Sequence, residues 1–268
     1  MTARPDPSRV LLTIGGLAVL LFLCLPIAIV VPMSFSSASS LEFPPPGFSM
    51  RWYEAFFGDQ RWLVAAGNSL LVAVVASSLA LLVGSVAAYG LVRGSFAGRA
   101  LADGNIMAPL IVPQIVTAVG LYIYFAKIGL LGSLTGLIIG HTVLAIPYVV
   151  LVMTVAIRSF DVRIEQVALT LGASWPTMFR RILLPNLAPS AAAAWIFAFV
   201  ISFDEVVVTI FLAGGIDTIP KRMFNELTLQ VNPTITAIAT LLIGFSLVTV
   251  GLLALLMRRS GAIRRALG

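Results

Sequence analysis

Residues 158–189 read RSFDVRIEQVALTLGASWPTMFRRILLPNLAP, the longest polar interruption in the second half of a chain that is otherwise almost continuously apolar. Two short amphipathic patterns sit in it, separated by Gly172 and Ala173. In the first, Ile164, Val167, Ala168 and Leu171 recur at helical spacing, while Arg163, Glu165 and Gln166 face elsewhere. In the second, Ser174 is placed to cap a turn whose early Pro176 has no amide to leave unpaired. Phe179, Ile182 and Leu183 then make an apolar stripe beside Arg180 and Arg181, and Pro185 and Pro189 are expected to limit that helix. Such a helix-turn-helix element, apolar on one side and basic on the other, is expected to dock onto a partner.

Its flanks set the class. The chain has 268 residues, of which 59% are hydrophobic and only 10% charged, against about 25% charged in an ordinary soluble domain. A bilayer-crossing helix needs about 20 apolar residues, and six runs qualify, at about 10–31, 63–91, 104–126, 134–157, 188–212 and 233–257. The expected fold is therefore an all-α polytopic membrane protein forming one domain over 1–268, with 158–187 as its loop between the fourth and fifth spans. The first span follows Arg4 and Arg9 as a signal peptide would, but its 22 apolar residues exceed the usual length of about 7–15 and predict a retained helix. The second span is rich in Ser77, Ser78, Gly84, Ala87 and Ala88, small residues that let helices approach closely in lipid. Between these two, Phe43-Pro-Pro-Pro-Gly47 reads as stiff extended linker, and residues 49–57, with four aromatic rings, as a segment lying at the membrane interface.

Charge orients the spans. With both ends inside, the inner basic residues are Arg4, Arg9, Arg93, Arg99, Arg158, Arg163, Arg180, Arg181, Arg258, Arg259, Arg264 and Arg265, twelve of the 17. The outer five are Arg51, Arg61, Lys127, Lys221 and Arg222. Excess positive charge on the cytoplasmic side is the rule, so both termini and the 158–187 loop are expected in the cytoplasm. The net charge of +6 is accounted for by these loops, and no nucleic-acid partner is expected.

Two carboxylates fall inside the fifth span, Asp204 and Glu205, in the run Ile201-Ser-Phe-Asp-Glu-Val206. Counted from Ala188 at about 1.5 Å per residue, Asp204 lies roughly 24 Å in, toward the outer leaflet. Ionised groups there are normally paired or face an aqueous path. Ser202, Asp204 and Glu205 are therefore candidates to line a translocation route or gate, with a hydrogen-bonded helix or subunit contact as the competing reading. Adjacent helical positions diverge by about 100°, so the two acids cannot share one job. His141 is either a proton relay or a packing histidine; Asn68 and Gln114 are further polar candidates that can instead bond a freed backbone carbonyl. One cysteine, Cys24, and one histidine exclude disulfides within the chain and multi-histidine metal sites. No Gly-Lys pair exists, so a phosphate-cradling Walker loop is absent, and ATP hydrolysis would have to occur on another chain.

The opening stretch resembles the cytoplasmic loop of membrane subunits of type I ATP-binding-cassette (ABC) importers, whose motif reads E-A-A, three residues, G, nine residues, I, one residue, L-P. Gln166-Val167-Ala168, Gly172, Ile182 and Leu184-Pro185 fall at those spacings. The leading glutamate is Gln166 here, with Glu165 one position earlier, and the first alanine is Val167. Phe48-Ser-Met-Arg-Trp-Tyr53, Ile201-Ser-Phe-Asp-Glu-Val-Val207, Ile219-Pro-Lys-Arg-Met223 and Asn232-Pro-Thr-Ile235 are similar to the subgroup that carries spermidine, putrescine and related solutes. The resemblance implies a second, shorter permease of a heterodimer in a bacterial inner membrane. It also implies a cytoplasmic ATPase dimer that binds ATP and Mg, and an extracytoplasmic solute-binding protein, with no cofactor on this chain. It makes 158–187 a coupling loop, whose ATPase contact is expected from Glu165, Gln166, Ala168, Leu171, Gly172, Ala173, Phe179, Ile182, Leu183 and Pro185. Two other readings are an ion- or proton-coupled carrier working without an ATPase and a non-transporting scaffold. A lipid-modifying enzyme has no nucleophile-base set or metal cluster to support it.

Overall fold

The structure is a computed structural model that describes the backbone of residues 7–229 and 233–267, and side-chain surroundings for 11–228 and 233–251. Arg4 and Asn232 lie outside the described residues, as do the surroundings of Arg9, Arg258, Arg259, Arg264 and Arg265. Among the described residues five helices are long and apolar enough to cross a membrane, and a bent pair, Arg99–Ile111 with Gln114–Lys127, makes up to six if it counts as one span. All six expected spans thus have a helical counterpart.

The chain divides into two compact units. One comprises α1 (Pro7–Ser34), α2 (Arg51–Gly58) and residues 225–245. In α1 the stretch Leu11–Ser34 has a mean hydropathy of 2.9 and leaves its apolar side chains exposed or half-buried, with Ser34 at its end buried, as befits a helix solvated by lipid or another subunit. The segment after it does not run on as an extended linker. Ser36 and Phe48 form an antiparallel bridge, Arg51 donates from Nη1 to the Ser37 carbonyl at 2.8 Å, and Ser34 Oγ lies 2.8 Å from Tyr53 Oη. These bonds close the proline-rich loop on itself and fix α2 to the end of α1. Within α2, Phe56 is buried while Phe57 stays exposed.

The second grouping, residues 61–224 and 246–268, holds the sites. Its frame is α3 (Gln60–Arg93), α6 (Leu134–Ser159) and α9 (Leu184–Phe203). Of the small residues named in the second span, Ser77, Gly84 and Ala88 are buried, with Ala65, Ser69, Ala73, Ala76 and Ala80 beside them, whereas Ser78 is exposed and Ala87 half-buried. A Cβ on Gly84 would come within 2.8 Å of Val149 Cγ1 of α6, so that glycine sets the helix separation.

Prolines make the departures from simple spans. The third expected span is two helices, α4 (Arg99–Ile111) and α5 (Gln114–Lys127), bent by 108°. Pro113 has no amide to donate and forces Val112 into an extended conformation (φ −72°, ψ 133°). The fifth expected span begins earlier and ends earlier than 188–212. Helix runs from Trp175 to Phe203 through α8 (Trp175–Met178), a π-helical turn (Phe179–Leu183) and α9. Pro185 and Pro189 therefore do not stop it; the wider π turn, in which the Leu184 amide reaches back to the Phe179 carbonyl, accommodates the missing donor just upstream of Pro185. The chain then breaks at 204–206 before α10 (Val207–Leu212), α11 (Ile219–Leu229) and α12 (Thr234–Leu267).

Leucine at Gly84 is expected to lower the stability of the purified chain by about 1–3 kcal/mol through overpacking, whereas leucine at Gly90, where a Cβ meets nothing within 4 Å, is tolerated. Thermal melts of the two variants in detergent check this; equal melting temperatures would contradict the close α3–α6 approach.

Candidate functional site

Two helix breaks open onto one cavity. The α4–α5 bend and the end of α9 enclose about 410 Å³, lined by Leu110, Gln114, Leu144, Tyr148, Val200, Asp204 and Glu205 among others. Asp204 is not inside a helix, as its distance along the fifth span suggested. It is the C-terminal cap of α9, its amide still bonded to the Val200 carbonyl at 3.1 Å, and its exposed carboxylate makes no hydrogen bond or ion pair among the described residues. The carbonyl end of a helix carries partial negative charge, so Asp204 and the α9 terminus add in sign.

Glu205 is used differently. Its side chain is buried, Oε1 accepts the Val208 amide at 2.7 Å, and Oε2 accepts from the Gln114 side-chain amide. It therefore caps the first turn of α10 and ties it to α5. His141 of α6, only 1% exposed, braces the same break from the other side. Its Nδ1 lies 2.9 Å from Ser202 Oγ and its Nε2 2.9 Å from Thr209 Oγ1, and the Thr209 hydroxyl donates to the Glu205 carbonyl at 2.9 Å. Nδ1 also lies 3.1 Å from the Ser202 carbonyl, so the ring is held from both sides of the break. The arrangement is a braced break with one unpaired carboxylate, suited to holding a cation that has an apolar stem.

Of the three sequence candidates for the path, only Asp204 faces the cavity with a free carboxylate. Glu205 reaches the lining with both oxygens occupied. Ser202 is buried against His141 and is not part of the lining. Asn68 donates to the Asp217 carbonyl at 2.9 Å, the backbone role open to it, while Gln114 bonds a carboxylate instead. Tyr148 had no signal in the sequence beyond its place after Pro147. Among the described residues no group of three or more His, Cys, Asp or Glu side chains is placed to hold a metal.

The 158–187 loop is built from α7 (Val162–Thr170), α8 and the π turn. Asp161 caps α7 by accepting the Arg163 amide at 2.9 Å. The helix ends in a Schellman motif: the Gly172 amide bonds the Leu169 carbonyl at 3.0 Å and the Ala173 amide bonds the Ala168 carbonyl at 3.1 Å. Gly172 has φ +88°, which is why a glycine stands there.

The first helix of the loop keeps most of its expected apolar face outward, while Glu165 and the second stripe turn inward. Ile164, Val167 and Leu171 are exposed, Leu171 to 82%, whereas Glu165 is buried at 5%. Tyr89 Oη and Arg93 Nε of α3 each donate to the Glu165 carboxylate at 2.9 Å, and Arg93 Nη2 lies 2.8 Å from it. The Phe179, Ile182 and Leu183 stripe, expected to point at a partner, turns into the chain. Leu183 is fully buried, and Phe179 and Ile182 pack on the core formed by α3, α6 and α9. Ala168 and Ala173 join that core, leaving Gln166, Leu171, Gly172 and Pro185 exposed from the expected set. Trp175, half exposed, stacks on Phe179 at 5.4 Å and meets Tyr89 edge-on.

Comparison with known proteins gives the same architecture. The chain is 34% identical over 234 residues to the spermidine/putrescine transport system permease protein PotC of Escherichia coli (strain K12), covering 87% of this chain and 88% of that one. It is also 34% identical over 248 residues to the putrescine transport system permease protein PotI of the same organism, covering 89% and 86%. Among solved structures, a bacterial ABC transporter involved in the import of the acidic polysaccharide alginate superposes with a TM-score of 0.69 at 16% identity, covering 96% of this chain and 99% of that one. The MetNI methionine ABC transporter superposes with a TM-score of 0.56 at 18% identity, over 77% and 97%. At such identities these structures speak for the fold alone. Residues 80–261 match the family of binding-protein-dependent transport system inner membrane components, and with the PotC and PotI likeness over most of its length, the chain belongs to that family.

Proposed function

We propose that the chain is one permease subunit of an ATP-driven importer that moves a polyamine-like organic cation across the bacterial inner membrane. In this reading both termini and the α7–α8 loop are cytoplasmic. A second, different permease completes the path, an extracytoplasmic binding protein delivers the solute, and an ATPase dimer carrying ATP and Mg docks beneath. The observation that carries the substrate class is the unpaired Asp204 carboxylate at the end of α9, in a cavity whose remaining walls include Leu144, Tyr148 and Val200. An ammonium group would sit at Asp204 and the α9 carbonyl end, and its methylene chain would lie along the apolar wall, with the Tyr148 ring available for a cation–π contact. Spermidine and putrescine, for which the PotC and PotI transport systems are named, have this chemistry.

The docking reading rests on the exposed apolar trio Ile164, Val167 and Leu171 around the Gly172 turn. An amphipathic helix laid into a groove of an ATPase would cover these three side chains. Closure of the ATPase would then move the spans as rigid bodies. A carrier working without an ATPase draws only on the acidic pair, and Glu205 of that pair is engaged in bracing a helix break.

Asp204→Asn is expected to leave assembly intact and to lower the specificity of uptake for a labelled polyamine by about tenfold, equivalent to about 1.4 kcal/mol; uptake at the unsubstituted rate in an assembled complex overturns the substrate site. Valine at Gly172 forces a left-handed conformation that costs a side-chain-bearing residue about 1–2 kcal/mol. It is expected to spare membrane insertion while abolishing stimulation of ATP hydrolysis by loaded binding protein. Normal stimulation in that variant would remove the loop from the coupling path.

A further inference from the structure

We propose that Arg93 and Glu165 are the mechanical link by which the cytoplasmic loop moves α3, so that the carboxylate near the motif's first position acts inside this chain and not on the ATPase. The inference rests on the docking reading of the loop. Tyr89 and Arg93 stand one turn apart on α3 and converge on the two oxygens of Glu165. Arg93 Nη2 also donates to the Ile157 carbonyl at 3.1 Å and the Phe160 carbonyl at 2.8 Å, the last acceptors of α6. One guanidinium therefore joins the ends of three helices. The loop is continuous in sequence with α6 and α9 but not with α3, whose polar connection to α7 runs through this cluster.

Burial makes the link stiff. With Arg93 and Glu165 side chains 18% and 6% exposed, parting them would strand a charge away from water, so the two move together. The far end of α3 is tied as well. Asn68 donates to the Asp217 carbonyl, and the Ile219 amide donates to Ser69 Oγ at 2.8 Å. A helix of 34 residues spans about 50 Å, so a push at Glu165 arrives at the 217–219 segment as a displacement of one rod. The one-residue offset from the family motif has a consequence in this geometry. Neighbouring helical positions diverge by about 100°, which turns Glu165 inward while Gln166 stays on the exposed side.

The test uses the full complex of two permeases, ATPase dimer and binding protein in proteoliposomes, measuring hydrolysis and polyamine uptake together. Glu165→Gln is expected to keep ATPase co-purification and stimulated hydrolysis, while solute imported per ATP falls at least about fivefold, the lower end of a typical coupling effect. Arg93→Lys, which preserves the charge pair, should recover much of that ratio, and Arg93→Met should not. An unchanged ratio, or uptake and hydrolysis falling in proportion, overturns the link and leaves a merely structural pair; loss of ATPase co-purification in Glu165→Gln overturns it in favour of direct contact. Leu171→Asp separates the two claims, because normal stimulation in that variant defeats the docking reading whatever Glu165→Gln does.

Discussion

A carboxylate taken out of water must be paired, and the pairing of Glu165 with Arg93 decides how the cytoplasmic loop presents itself. Removing one partner of a buried ion pair costs about 3–5 kcal/mol, comparable with exposing two aliphatic side chains at about 1.5–3 kcal/mol each, and an outward aliphatic side chain can still be covered by a docked partner whereas a stranded charge cannot. Once Glu165 faces α3, helical geometry sends Ile164, Val167 and Leu171 outward. Gly172 then turns the chain so that α8 and the π turn press Leu183 into the core. The outward apolar surface is thus a consequence of the inward charge.

Helix breaks supply the complementary constraint in the spans. Each helix break frees polar backbone that must be satisfied inside the chain where no water reaches. At 204–206 the satisfaction is thorough: Glu205 caps α10, Gln114 holds Glu205, and His141 ties Ser202 to Thr209. Asp204 is left over, exposed to a cavity bounded by the Pro113 bend. Two adjacent acids thereby divide into a structural one and one left without a hydrogen-bond or ion-pair partner among the described residues.

Much of this was legible in the sequence. Six apolar runs map onto helices because hydropathy and length leave a membrane chain few alternatives. The small residues of α3 and the Gly172 turn follow from local geometry, whereas Asp204 and Glu205 diverge because the helix breaks between α9 and α10, not because of helical spacing. What could not be read depends on partners distant in sequence. Glu165 is polar by type but buried by virtue of Tyr89 and Arg93, more than seventy positions earlier. Phe179 and Leu183 have the same periodicity whether they face a partner or the core. Pro185 and Pro189 read as helix stops, yet a π turn absorbs the first and α9 carries the second. Gln114 was visible as a polar residue beside a proline, but its bond to Glu205 needed the 108° bend.

The orientation of the loop is the claim on which transport, coupling and the internal link all depend. Photocrosslinking amino acids placed singly at Leu171 and Leu183 in the assembled complex test it most directly. Adducts to the ATPase subunit from Leu171 and none from Leu183 are predicted. Adducts from Leu183 with Leu171 silent would mean that the inward and outward faces are reversed.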